Sequence, residues 1–211
     1  MATQRVQFAK AIEAHAAEFG IDLADRQVEV LADYYELVMK WNERLHLVAP
    51  GAPEDFATRH VLESLVLLRH LSQGATVVDV GSGGGLPIIP CLLARPDLRA
   101  TLIESSTRKI VFLREALRPV KPSDRAQVIN ARFEEIDLPA SDFLTCRALD
   151  RFSQLLPTLI QRARPNTTML LFAGEALTKQ IQSLIPSATA ERMPLSEKRF
   201  LVIGTCQSRE R

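Results

Sequence analysis

"VVDVGSGGGLPIIP", residues 77–90, places four of the chain's nine glycines within five positions, directly after a short β-branched run. A buried strand that ends in a glycine cluster lets something approach the backbone closely. Residues 75–80 (ATVVDV) read as that strand, and residues 86–94 as the helix after the turn. In an open sheet, the first strand-to-helix turn presents backbone amides and a helix N-terminus to the crevice beyond the strand ends. The phosphate-binding fingerprints do not fit. G-x-G-x-x-G needs its third glycine at 86 or 88, which are Leu86 and Ile88, and no lysine follows to complete G-x-x-x-x-G-K-[ST]. The stretch spells D-x-G-x-G-x-G instead: Asp79, Gly81, Gly83 and Gly85, with Ser82 between the first two glycines.

Downstream, strand and helix patterns alternate. Strands are predicted at 100–104, 126–130, 142–146, 167–172, near 188–193 and at 199–205. Helices are predicted at 107–118, 152–163 and 176–185. Such alternation implies βαβ units and a parallel sheet, with right-handed crossovers placing helices on both faces. The predicted fold is α/β: a doubly wound, seven-stranded, mostly parallel sheet with one antiparallel strand, preceded by a helical cap.

Upstream, no strand signal appears. Helices are predicted around 4–18, ended by Gly20, at 25–46 with Asp25 as N-cap, and at 54–71, stopped by Gly74. The expected organisation is a cap over residues 1–73 and one compact unit over 74–211, with the final "QSRER" frayed.

The chain has 211 residues, 46% hydrophobic and 24% charged, the balance of an ordinary globular protein. No apolar run approaches the ~20 residues of a membrane span, and the N-terminus carries charges where a signal core would be apolar. Cys91, Cys146 and Cys206 are odd in number and widely spaced, so neither a disulfide framework nor a CxxC metal site is expected. His15, His46, His60 and His70 show no metal-ligand pattern. The expectation is a cytoplasmic protein, a monomer, without metal or membrane. Net charge is +1, but residues 1–60 are acidic and residues 95–132 basic. If those basic residues share a face, an anionic partner fits them.

The D-x-G-x-G-x-G stretch resembles the first motif of Rossmann-like methyltransferases that bind S-adenosylmethionine (SAM). In such proteins an acidic residue ending the second strand grips the ribose hydroxyls, and Glu104 ends "ATLIE" here. Five further stretches narrow the resemblance: "KWNERLHLV" (40–48), "RHVLESL" (59–65), "LIESSTRKIVFL" (102–113), "ARFEEI" (131–136) and "CRAL" (146–149). Together and in this order, they resemble the ribosomal RNA small subunit methyltransferase G family over roughly residues 25–205. The resemblance implies methyl transfer from SAM to N7 of guanine 527 in 16S rRNA (standard rRNA numbering), free or in an assembling small ribosomal subunit. It implies a cofactor site of Asp79, Gly81, Ser82, Gly83, Gly85, Leu86, Glu104, Phe133, Glu134 and Arg147. It also implies RNA or substrate contacts at Arg59, His60, Arg108, Lys109, Arg132 and Arg147.

The chain departs from the family pattern at several positions, among them His46, where the family usually has asparagine. Ile88 stands where the family has glycine, which predicts bulk near the donor pocket, and Ala173 and Thr205 replace lysines. Two other readings therefore stay open: a SAM methyltransferase with a different acceptor, and a divergent SAM-binding module that has lost turnover. No general base is evident, since no His–Asp pair or Cys–His pair stands out, and guanine N7 needs none. Among the remaining residues, Arg59 and Glu63 are spaced for a local i,i+4 pair. Trp41 sits at core spacing, and Cys146 reads as buried filler.

Overall fold

The computed structural model describes residues 2–206; the "QSRER" end lies outside the described residues. The sheet has seven strands: β1 Thr76–Val80, β2 Arg99–Glu104, β3 Ala126–Asn130, β4 Phe143–Cys146, β5 Thr168–Gly174, β6 Thr189–Arg192 and β7 Arg199–Thr205. Their order across the sheet is β3-β2-β1-β4-β5-β7-β6. All pairings from β3 to β5 are parallel, and β7 runs antiparallel to both neighbours. The predicted fold class holds.

Three helical segments form the cap: α1 Ala2–His15, α2 Asp25–Leu45, and α3, the run over residues 53–69. The crossover helices are α4 Ile88–Ala94, α5 Thr107–Ala116, α6 Phe152–Arg162 and α7 Glu175–Leu184. α2 follows Ala24 in extended conformation, so Asp25 is the first helical residue and not the N-cap. Its carboxylate still complements the helix dipole there. α4 starts two residues later than expected because the glycine turn continues to Pro87.

α3 departs most from its prediction. Between Phe56 and Leu62 it widens into a π-helical stretch. Such a stretch loosens the carbonyl ladder and occurs often at functional sites. It also changes the side-chain spacing, and the expected Arg59–Glu63 pair does not form; Glu63 pairs elsewhere, as described below.

Two apolar layers sandwich the sheet. Val77, Leu102, Leu170, Phe172 and Leu201 pack with the cap, α4 and α5. Val78, Val80, Ile103, Cys146, Leu171 and Val202 pack on the opposite face, with α6 and α7. Because side chains alternate along a strand, Asp79 shares the cap face with Val77. Arg147 follows Cys146 onto that face, and Arg199 shares it with Leu201. Ile88 is fully buried in the cap-side core, so it packs the core where the sequence had suggested bulk in the donor pocket. Trp41 packs edge-on against Phe112, 6.1 Å between ring centroids, and donates to Glu115 at 3.2 Å, joining α2 to α5. No helix among the described residues is long and apolar enough to cross a membrane.

Candidate active site

The parallel strands end on one edge, and the glycine turn begins there. Gly81 and Gly85 have φ of 71° and 80°, in the left-handed region that glycine enters without strain. A Cβ on Gly81 would stand 2.7 Å from Leu149 Cδ1, and one on Gly85 would collide with Ile89. The turn is therefore fixed by packing as well as by conformation. From above, the Tyr34 hydroxyl donates to the Gly84 carbonyl, so α2 of the cap holds the loop in place.

Glu104, at the end of β2, is 7% exposed. Its Oε2 accepts the Gly83 N–H at 2.9 Å and its Oε1 accepts the Ser106 N–H at 2.8 Å. Each oxygen keeps a further lone pair, so two hydroxyls on adjacent carbons could be gripped together. Asn130 braces the same corner by donating to the Glu104 and Ser105 carbonyls, each at 3.0 Å.

A cleft of about 320 Å³ opens beside this carboxylate. Its walls include Gly81, Glu104, Lys109, Arg132, Phe133 and Glu134. These six positions, expected from sequence, converge. The fourth wall, Ala148 to Arg151, was not anticipated. Ala148 and Arg151 both adopt left-handed φ, 52° and 51°, and nothing in their residue types signals it. Arg108 is exposed on α5 and is not part of the cleft wall. Leu86 packs into the cap-side core. The Ser82 hydroxyl donates to the Asp79 main-chain carbonyl at 3.1 Å.

Asp79 is fully buried, and neither carboxylate oxygen has a hydrogen-bond partner. Burial pushes its carboxyl up to about 7; the nearby Ser82 hydroxyl opposes this, and the negative charge of Glu104 adds to it. An orphaned carboxylate under a glycine turn is costly unless something cationic or proton-bearing completes it. Glu104's open lone pairs, the Cβ-free turn and Asp79's orphaned oxygens together suit a ligand with vicinal hydroxyls and an ammonium group. SAM has both.

Arg147 lies away from this cleft. Its guanidinium donates to the Arg59 and His60 carbonyls (the latter at 3.3 Å), to Ser64 Oγ at 3.4 Å and to Glu63 Oε2 at 3.2 Å. It also stands 5.1 Å from the Phe172 ring centre. The π-helical stretch supplies the two carbonyls. Glu63, 2% exposed at its side chain, accepts a second guanidinium, Arg199 Nε, at 2.6 Å. Arg199 was not singled out from sequence, and Glu63 was read only as a local partner of Arg59. Burial pulls Arg147 below the ordinary guanidinium range; Glu63 opposes the shift, and Arg199 and Arg59 add to it. His60 is held down to about 3, by burial first and then by the charges of Arg147, Arg59 and Arg199, so its ring is neutral at physiological pH. Arg59 and His60 line a separate cleft of about 490 Å³ walled by the cap.

The strand order, the antiparallel β7 and the glycine turn under an acidic second-strand end define a Rossmann-like methyltransferase fold. Solved structures agree on the fold. The S-adenosylmethionine-dependent methyltransferase SibL superposes with a TM-score of 0.58 at 16% identity, covering 85% of this chain and 70% of that one. An RNA methyltransferase from Salinibacter ruber in complex with S-adenosyl-L-homocysteine gives 0.53 at 16%, covering 78% and 97%. Residues 27–204 match the family GidB, rRNA small subunit methyltransferase G. A ribosomal RNA small subunit methyltransferase G from Xanthomonas campestris is 38% identical over 155 residues, 73% of this chain and 72% of that protein. The chain belongs to the rRNA small subunit methyltransferase G family.

Proposed function

We propose that the protein transfers a methyl group from SAM to N7 of a guanine in small-subunit rRNA, guanine 527 of 16S rRNA in the standard numbering. The observation that carries this reading is Glu104. It is a buried carboxylate at the second strand end, held by two backbone amides with lone pairs to spare, in a chain of this family. In this reading Glu104 receives the ribose hydroxyls, the turn at Gly81 admits the amino-acid part, and Asp79 balances its ammonium. Phe133 and Glu134 line the same cleft and would contact the cofactor there. When bound, SAM supplies an electrophilic methyl on a sulfonium.

The acceptor explains the residues. Guanine N7 has a free lone pair at neutral pH, so no proton must leave before transfer. The protein needs only to align the two reactants and tolerate the positive charge that develops on the base. His60, neutral and half-buried, is poorly suited to act as a base. In this reading Lys109 and Arg132, on the cleft wall, meet RNA phosphate. Ile88 gives no support to the lost-turnover reading, because it fills the core.

Radiolabelled SAM, the purified protein and small subunits lacking the modification test this. The expected result is label in 16S rRNA and borohydride–aniline cleavage at a single guanine. Label at a base-paired amino group or on protein would replace the acceptor.

A further inference from the structure

The seam between cap and sheet holds more positive charge than its own residues neutralise. Arg147 and Arg199 share one buried carboxylate, Glu63, and the charges of Arg59, Arg147 and Arg199 all act on His60, which stays neutral. Arg147 commits both terminal nitrogens to protein partners, four acceptors in all. Arg199 is not. Only its Nε is bonded, to Glu63 Oε1, and its side chain is 36% exposed. Among the described residues, neither of its terminal nitrogens has a partner, and the Arg59 guanidinium has none. A guanidinium anchored through Nε presents its two terminal nitrogens as a planar fork, the geometry that binds phosphate bidentately.

Topology puts this fork in the right place. The parallel strands carry their ligand edge at their carboxyl ends. Only the antiparallel β7 brings its first residue there: Arg199 is paired with Gly174, the last residue of β5. Arg147 leaves β4 at the same edge. Arg199 does not line the cleft beside Gly81 and Glu104, so the carboxylate of a ligand in that cleft is the less suitable anion. A backbone phosphate crossing the seam is the better match.

We propose that Arg199, anchored by Glu63, is a phosphate-binding residue that receives an RNA backbone phosphate beside the acceptor nucleotide. This rests on the rRNA methyltransferase reading above. The chain then grips its RNA from two sides, by Lys109 and Arg132 at the cofactor cleft and by Arg199 and Arg59 at the cap seam.

The test is Arg199→Gln in the full chain, binding a transcript of small-subunit rRNA across a salt series. Glu63 keeps Arg147 in this variant, so the fold should persist, checked by an unchanged thermal midpoint. RNA affinity should drop roughly tenfold at moderate salt, the worth of one charge-assisted contact. The slope of log affinity against log salt should flatten by about 0.7–0.9, one phosphate's share. Arg199→Lys should restore the slope and only part of the affinity, because the fork is gone. SAM affinity by calorimetry should stay within about twofold. An unchanged slope in a folded variant overturns the assignment. Loss of SAM affinity with the slope unchanged also overturns it, and gives the fork to the cofactor carboxylate. If the parent protein binds no rRNA, the methyltransferase reading falls as well; if it binds and methylates while the variant's slope is unmoved, only Arg199 is misassigned.

Discussion

Two buried glutamates sit near the carboxyl edge of this sheet, one ending β2 and one on the cap helix α3, and they are held in opposite ways. Glu104 accepts backbone amides from Gly83 and Ser106, 21 and 2 positions away. Glu63 accepts guanidiniums from Arg147 and Arg199, 84 and 136 positions away. Amides orient a carboxylate without cancelling its charge, so Glu104 stays available to a ligand. Guanidiniums cancel it, so Glu63 works as a bolt between cap and sheet. Burial alone therefore does not mark a functional carboxylate; the identity of its partners does.

The largest expected effect tests the bolt. Glu63→Ala leaves two guanidiniums facing each other in a half-buried seam, and losing one partner of a buried pair costs ~3–5 kcal/mol. Urea unfolding measures it. Glu104→Ala should cost clearly less stability, because the Gly83 and Ser106 amides lie at an open cleft where water can replace the carboxylate. Equal losses in the two variants would erase the distinction between them.

The second effect reverses the ranking. Glu104→Ala should weaken SAM binding by ~1.5–3 kcal/mol, the worth of hydrogen bonds to a charged acceptor, as read by calorimetry. An unchanged affinity would remove Glu104 from the cofactor site and leave it a turn-holding residue.

Asp79 sharpens the comparison because it has neither kind of partner. Its folded carboxyl titrates at about 7, against 3.8 for the free group, so the folded state prefers the protonated form. Asp79's own contribution to stability without ligand should be greatest below about pH 4, fall as pH rises toward 7, and then level off. Asp79→Asn should remove that slope. The charge penalty has a ceiling of about 4 kcal/mol, and the buried amide costs ~1–3 kcal/mol of it. The variant should therefore gain at most about 1–3 kcal/mol at pH 8 and lose SAM affinity. A variant equally sensitive to pH would show that another group titrates.

Much of this could be read from the chain, and the limits have physical causes. The glycine turn and Glu104 are local: a strand, a turn and the next strand end, each with its own residue-type signature. Lys109, Arg132, Phe133 and Glu134 follow strand ends, so topology alone sends them to the same edge. Arg147 was legible as a strand-end arginine, but not its direction. The alternation along β4 turns it toward the cap, where the π-helical stretch of α3 meets it. That stretch has no residue signature, and it also replaced the expected Arg59–Glu63 pair. Arg199 was hidden because its place depends on β7 being antiparallel and inserted between β5 and β6. Ile88 was misread for a related reason: a departure from a family pattern says that a side chain is larger, not which way it points.

The smallest expected effect is an absence of one. His60 stands at the junction of the two regions: its carbonyl holds Arg147 and its ring lines the cap cleft. Were it a general base, turnover would rise through its pKa and replacing it would cost ~10²–10⁴-fold. Its ring is held near 3 by burial and three arginines, so it does not change charge in the neutral range. In the proposed reading the acceptor is guanine N7, which sheds no proton before transfer, so it demands no base either. Asp79 does titrate near neutrality in the free protein, and that belongs to cofactor affinity: SAM binding should weaken by up to about tenfold per pH unit below 7. At saturating SAM and RNA this dependence drops out. Turnover should then vary less than about threefold between pH 6.5 and 8.5, and His60→Gln should slow it far less than loss of a base. A steep rise through one pKa in saturated turnover, abolished by His60→Gln, would make the seam part of the chemistry and would shift the acceptor to an atom that must lose a proton.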